Sequence, residues 1–166
     1  MVSLSNHEPA EARSAELTDS NTAAAVKIVA FLCNWCSYAG ADLAGVSRIQ
    51  YPADVRVIRV PCSGRVDPLY IIKALQEGAD GVLVSGCHPG DCHYISGNLV
   101  ARRKFAMLKS FLEYVGIEPE RVQFSWVSAS EGGRFAALIE KVVNDVRKLD
   151  RTKKMAKEYK SAAGAL

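Results

Sequence analysis

Short runs of β-branched and other apolar residues alternate along the chain with stretches whose apolar positions recur at helical spacing, each change marked by a turn signal. The runs fall at residues 26–32, 55–60, 81–84 and 122–127. The first and third are apolar almost throughout, the mark of strands covered on both faces. In the fourth, Val122, Phe124 and Trp126 alternate with Gln123 and Ser125, which places it at an edge. Asp67 before Pro68 reads as a helix cap and first-turn proline, Leu69, Ile72 and Leu75 as that helix's apolar stripe, and Gly78 as its end. Phe105, Leu108, Leu112 and Val115 repeat at helical spacing before Gly116. Phe135, Leu138, Ile139, Val142, Val143, Val146 and Leu149 do so over a longer stretch, with Ser128 and Glu131 at capping-box spacing ahead of it. A weaker pattern over residues 42–50 predicts a short helix. Repeated alternation of strand and helix gives an α/β domain over residues 26–149, an open doubly wound parallel sheet of four or five strands, flavodoxin-like or Rossmann-like.

The flanks have a different texture. Residues 1–25 hold few large apolar side chains, and Glu8, Glu11, Glu16 and Asp19 outweigh Arg13, so a flexible acidic N-terminal arm is expected. Residues 150–166 read as a basic C-terminal extension. Over the whole chain 21 basic side chains face 18 acidic ones, a balance that gives no reason to expect a nucleic-acid partner. No apolar stretch nears the roughly 18 residues of a membrane span, and the first 25 residues lack the basic start and apolar segment of a secretory signal. A cytoplasmic protein with no membrane partner is expected.

Cysteine placement supplies the chemistry. Cys33 and Cys36 follow the first predicted strand, Cys62 the second, Cys87 and Cys92 the third, spaced C-x2-C, x25, C, x24, C-x4-C. In a parallel sheet all carboxyl ends share one edge, where such folds bind ligands, so these thiols converge there. Cysteines acting only as small core hydrophobes would lie within strands and helices instead. An odd number in a reducing compartment argues against a disulfide framework, and clustered thiolates need a cation, so a metal or iron-sulfur centre is the economical reading. An iron-sulfur cluster takes four cysteines and leaves one over. Two readings stay open beside it: a thiol-disulfide oxidoreductase using Cys33 and Cys36, and a zinc-stabilised interaction module, though a domain with an ample core does not need zinc to fold.

Neighbouring residues are ambiguous on sequence alone. His88 and His93 are read as polar neighbours of Cys87 and Cys92, with imidazole ligation as the alternative. Gly64, Gly86 and Gly90 either bring backbone N–H groups to the sulfurs or simply turn the chain. Arg65, Arg102 and Arg103 either offset cluster charge or dock a partner, and solvated surface is the preferred reading for the last two. Trp35, Tyr38 and Tyr94 lie near the same edge, as a lid on the sheet end or over a cofactor. The chain lacks G-x-G-x-x-G after its first strand, G-x-x-x-x-G-K-S/T, H-E-x-x-H and G-x-S-x-G, so dinucleotide, nucleotide, zinc-protease and hydrolase chemistries are without their carriers.

Four blocks taken together, Cys33-Asn34-Trp35-Cys36-Ser37-Tyr38 with Gly40-Ala41-Asp42, Val60-Pro61-Cys62-Ser63-Gly64-Arg65, Gly86-Cys87-His88-Pro89-Gly90-Asp91-Cys92-His93-Tyr94 and Trp126-Val127-Ser128-Ala129-Ser130-Glu131, resemble the delta subunit of methyl-viologen-reducing hydrogenase. The resemblance covers about residues 26–149 and leaves out both flanks. It implies an electron-transfer subunit, not itself catalytic, that carries a 2Fe-2S cluster. Four of Cys33, Cys36, Cys62, Cys87 and Cys92 would ligate its iron. It also implies partners: hydrogenase or formate dehydrogenase subunits on one side, and on the other the flavin subunit of heterodisulfide reductase, where electron bifurcation occurs.

Overall fold

In a computed structural model of the protein, residues 25–149 are described. The acidic arm (Ala25 apart) and the basic extension lie outside the described residues. Four strands, β1 (Ile28–Cys33), β2 (Val55–Val60), β3 (Gly81–Gly86) and β4 (Val122–Trp126), pair in parallel in the order β2-β1-β3-β4. The register sets Phe31 between Ile58 and Val84, and Val84 beside Phe124. β1 and β3 are central and buried on both faces, as their unbroken apolar runs require, and β4 lies at an edge.

Helices α1 (Ser37–Val46), α2 (Pro68–Gln76), α3 (Gly97–Tyr114) and α4 (Gly132–Arg147) cover the sheet in two layers. Ile28, Ala30, Leu32 and Leu83 pack with Ala44 of α1 and with Phe135, Ile139 and Val142 of α4. Phe31, Val82, Val84 and Val122 pack on the opposite face with Ile71 and Leu75 of α2 and Leu108 and Leu112 of α3. The chain leaving β1 therefore turns to one face and the chain leaving β3 to the other. Between these adjacent strands lies the switch point, where a doubly wound sheet opens a crevice at its carboxyl edge.

Several elements differ from expectation in extent or facing. α2 carries the predicted cap, with Asp67 Oδ1 accepting from the Leu69 N–H at 2.9 Å, and Gly78 follows it at φ +92. Its buried positions are Ile71 and Leu75, one turn apart, while Leu69 is 68% exposed. In α3, Leu108 and Leu112 are buried but Val115 is exposed, because Gly116 at φ +78 reverses the chain and Ile117 enters the core instead. α1 begins at Ser37, ahead of the predicted 42–50, because small residues let it sit close: a Cβ on Gly40 would lie 2.8 Å from Ser128 O. Only half of the capping box forms, Glu131 Oε2 accepting from the Ser128 N–H at 2.7 Å.

β2 is the other edge strand, and its central four residues are exposed. Arg56 and Arg59 on this strand guard a free edge against pairing with other chains. At the amino ends of the strands, Val26 N–H donates to Asp54 Oδ1 (3.1 Å), Lys27 N–H to Asp80 Oδ2 (2.9 Å), and Arg147 pairs with Asp54 (3.1 Å). An apolar groove of about 770 Å3 between β2 and α2 opens toward this same end, away from the cysteines.

Candidate metal centre

β1 ends on Cys33, and a tight turn closed by Cys36 N–H to Cys33 O (3.4 Å) leads into α1. Cys87 directly follows β3. Because β1 and β3 are neighbours, their ends meet: Cys33 and Cys87 Sγ are 3.9 Å apart, and the sulfurs of Cys33, Cys36 and Cys87 all lie within 4.8 Å of one another. Two thiolates each about 2.3 Å from one tetrahedral ion stand about 3.8 Å apart. The spacing thus suits ligands of a single metal. Cys62, at the end of β2, is buried, and Cys92, half-buried, packs against the three. Both meet Gly97 at the start of α3, where a Cβ would stand 2.2 Å from Cys62 Sγ and 3.4 Å from Cys92 Sγ. All five predicted cysteines reach the switch point, three in mutual contact and two against one glycine.

Burial makes this arrangement electrostatically demanding. Hydrogen bonding from Cys36 pulls the Cys33 thiol down to about 5, with support from the Trp35 and Ser63 N–H groups and from Cys87. The same hydrogen bond, together with burial, pushes Cys36 up, and burial pushes up Cys87 and Cys62. One thiolate is tolerated; further ones are opposed unless a cation enters. Gly64 N–H stabilises the Cys62 thiolate and His93 N–H that of Cys87, the kind of backbone donor that tunes a metal-bound sulfur. Ser63 and Ser85 hydroxyls, flanking Gly86, are buried without a partner among the described residues. Orphaned donors beside a nest of thiols fit a site completed by a sulfur-rich group.

The remaining predicted residues fall into place around this nest. His88 Nε2 lies 2.7 Å from Glu131 Oε2, so its ring is engaged by a carboxylate. His93 stacks on Trp35 with ring centroids 3.7 Å apart. Neither joins the group of close ligand atoms, as expected of polar neighbours. Trp35 Nε1 donates to Tyr94 O–H at 3.4 Å, and these two with His93 form an aromatic lid. Tyr38 instead packs into the core under Arg59. Gly64 and Gly86 are places of close approach, a Cβ falling 2.5 Å from Gly97 O and 2.4 Å from Ser63 Oγ respectively.

Sequence reasoning missed Gly97 and Asn98. Asn98, 1% exposed, donates from Nδ2 to Cys87 O (3.0 Å) and His88 O (2.7 Å), while its Oδ1 accepts from Leu99 N–H (2.9 Å). It clamps the Cys87 loop onto α3. The helix-start signal Ser96-Gly97-Asn98 could have placed this turn at the site's edge. Access bears on the oxidoreductase reading: Cys33 is 1% and Cys36 5% exposed, so a disulfide substrate cannot reach either sulfur without opening the fold.

Fold and site together define a class: open α/β proteins that gather buried thiols from three strand ends at a switch point, a donor set suited to thiophilic metals. The chain belongs to the family of the methyl-viologen-reducing hydrogenase delta subunit, which it matches over residues 28–150. It is 54% identical over 121 residues to the F420-non-reducing hydrogenase vhc iron-sulfur subunit of Methanococcus voltae, covering 73% of this chain and 84% of that one. It is 54% identical over 122 residues to the F420-non-reducing hydrogenase iron-sulfur subunit of Archaeoglobus profundus, covering 74% of this chain and 89% of that one. A third relative, a subunit of the ferredoxin/F(420)H(2)-dependent CoB-CoM heterodisulfide reductase of Methanosarcina acetivorans, is 51% identical over 74% of this chain but only 15% of its own length.

Proposed function

We propose that the protein is an electron-transfer subunit that holds a 2Fe-2S cluster in the cytoplasm. On this reading it relays electrons between a hydrogenase or formate dehydrogenase and the flavin subunit of a heterodisulfide reductase. The observation that carries the proposal is the buried nest of Cys33, Cys36 and Cys87, sulfurs within 4.8 Å, with Cys62 and Cys92 beside it. Support for the partners comes from the relatives' names, hydrogenase iron-sulfur subunits on one hand and a heterodisulfide reductase subunit that contains a matching segment on the other. No helix among the described residues is long and apolar enough to cross a membrane.

Four of the five cysteines would hold the iron, and a bound cluster supplies one-electron reduction and oxidation. The chain's own residues do the rest. The Trp35, Ser63, Gly64 and His93 N–H groups face sulfur and offset its charge. Asn98 fixes the Cys87 loop, and the Trp35, His93 and Tyr94 rings exclude water from one side. Anaerobic purification followed by iron and acid-labile sulfide analysis tests the proposal. Roughly two of each per chain and a paramagnetic signal after one-electron reduction are expected. Zinc without sulfide, or a colourless metal-free chain, would overturn it.

A further inference from the structure

A cleft of about 670 Å3 reaches the thiols beside α3, lined by Cys62, Arg65, Tyr94, Ser96, Val100 and Lys104 among others. Its floor is thin because two glycines meet there: a Cβ on Gly64 would stand 2.5 Å from Gly97 O, and one on Gly97 2.2 Å from Cys62 Sγ. Cys92, more exposed than the other four cysteines, abuts the same Gly97, whereas Cys33, Cys36 and Cys87 are enclosed. On this side only a glycine and a sulfur separate the nest from an open depression.

Among the described residues no carboxylate lines the cleft. Lys104 Nζ donates only to carbonyls, Gly64 O at 2.9 Å and Val66 O at 3.5 Å. Arg65 also lines the cleft and is exposed, and exposed Arg103 directly precedes Lys104 on α3, whereas Arg102 is turned to the Trp126 ring. Among the described residues neither Arg65 nor Lys104 forms an ion pair; those that do include Lys73 with Glu77, Arg121 with Glu118, Lys141 with Asp145, Arg147 with Asp54 and, beside the thiols, His88 and Arg134 with Glu131. Asp67, two residues from Arg65, is engaged as the α2 cap, and the cations that line the cleft are Arg65 and Lys104.

We infer that this cleft is where the redox partner docks, and that the partner presents an acidic protein surface bearing an apolar side chain that seats between Tyr94 and Val100. Carboxylates on the partner would complete the cations that this chain leaves unpaired, and such complementarity sets encounter rate and orientation more than affinity. The inference rests on the electron-carrier reading above.

Stopped-flow oxidation of the dithionite-reduced, iron-loaded chain tests it. One electron passes from the reduced centre to ferricyanide, which leaves as ferrocyanide, or to hexaamminecobalt(III), which leaves as the cobalt(II) ion; no proton need move. The anionic oxidant is expected to react faster at low salt and to slow roughly tenfold in the Arg65→Glu/Arg103→Glu variant, with the cationic oxidant changing in the opposite sense. Lys148→Glu, on the far end of α4, should alter neither. Transfer to purified heterodisulfide reductase should show the same salt dependence and the same loss on charge reversal. In the metal-free chain, the rate of alkylation of Cys62, which lines the cleft, by iodoacetate relative to iodoacetamide should fall severalfold in the Arg65→Glu/Arg103→Glu variant. A loaded chain whose oxidation by ferricyanide and transfer to the reductase ignore salt and charge reversal, with the alkylation ratio in the metal-free chain unchanged, overturns the cleft and leaves the electron-carrier reading standing. A chain that takes up no iron overturns that reading, and the cleft's redox role with it.

Discussion

Gly97 is the position where a single methyl group tests the site most directly. In Gly97→Ala the new Cβ would sit 2.2 Å from Cys62 Sγ, inside any allowed contact, so the thiol must move. Iron content after reconstitution should fall severalfold while the far-UV circular dichroism keeps its α/β form. Gly133→Ala is the matched comparison, since nothing lies within 4 Å of a Cβ there and no positive φ is involved. It should leave iron content unchanged and raise stability by about 0.5–1 kcal/mol in urea denaturation, through reduced freedom of the unfolded chain. Asn98→Leu removes the bonds to Cys87 O and His88 O and leaves the first carbonyl unpaired in a buried place. A loss of about 1–3 kcal/mol is expected in the same measurement, with weaker iron retention. Beyond the helix start at Ser96-Gly97-Asn98, the roles of Gly97 and Asn98 were illegible in the sequence for a common reason. The cysteines announce themselves by type and by following a strand, whereas Gly97 and Asn98 matter through Cys62 Sγ and the Cys87 and His88 carbonyls, which folding brings beside them from 10 or more positions away.

Among the elements, the start of α4 shows how one carboxylate serves both fold and site. Glu131 caps the Ser128 N–H and holds His88, and these partners, the backbone bond first, keep its carboxyl below the ordinary 4.5. A folded-state value below the unfolded one means stabilisation that is complete above about pH 4.5 and is lost as pH falls through the lowered value. Urea midpoints of wild type and Glu131→Gln should therefore differ at neutral pH and converge in acid; a constant difference would contradict the assignment. The strands were legible because β-branched runs mark them whatever covers them. α1 was read too late in the chain because its packing face is Gly40 and Ala44, which leave no large apolar periodicity to detect. Leu69 misled for the opposite reason: it has the right character, but α2 turns Ile71 and Leu75 to the sheet and leaves it in solvent.

Across the whole molecule, the two hydrophobic cores are distinct from the cysteine nest. Phe135, Ile139 and Val142 pack on one face of the sheet and Leu75, Leu108 and Leu112 on the other, while the thiols form a third cluster at the rim. Removing metal should therefore leave the chain folded: far-UV circular dichroism of chelator-treated protein should match the loaded form, with a lower melting temperature from the lost binding energy. A coil spectrum would show that metal and fold are inseparable, as in small zinc modules. Phe135→Ala, by contrast, strikes a fully buried ring and should cost about 3–5 kcal/mol in denaturant titration.

One consequence follows from where Val26 and Arg147 are fastened. Both are tied to Asp54, at the amino ends of the strands and thus at the pole opposite the sulfurs. Polypeptide joined beyond either of these anchors therefore enters and leaves the domain at the pole away from the cysteine nest. That geometry accounts for how a matching segment can occupy 15% of a large heterodisulfide reductase polypeptide in one organism and most of a short separate chain in another.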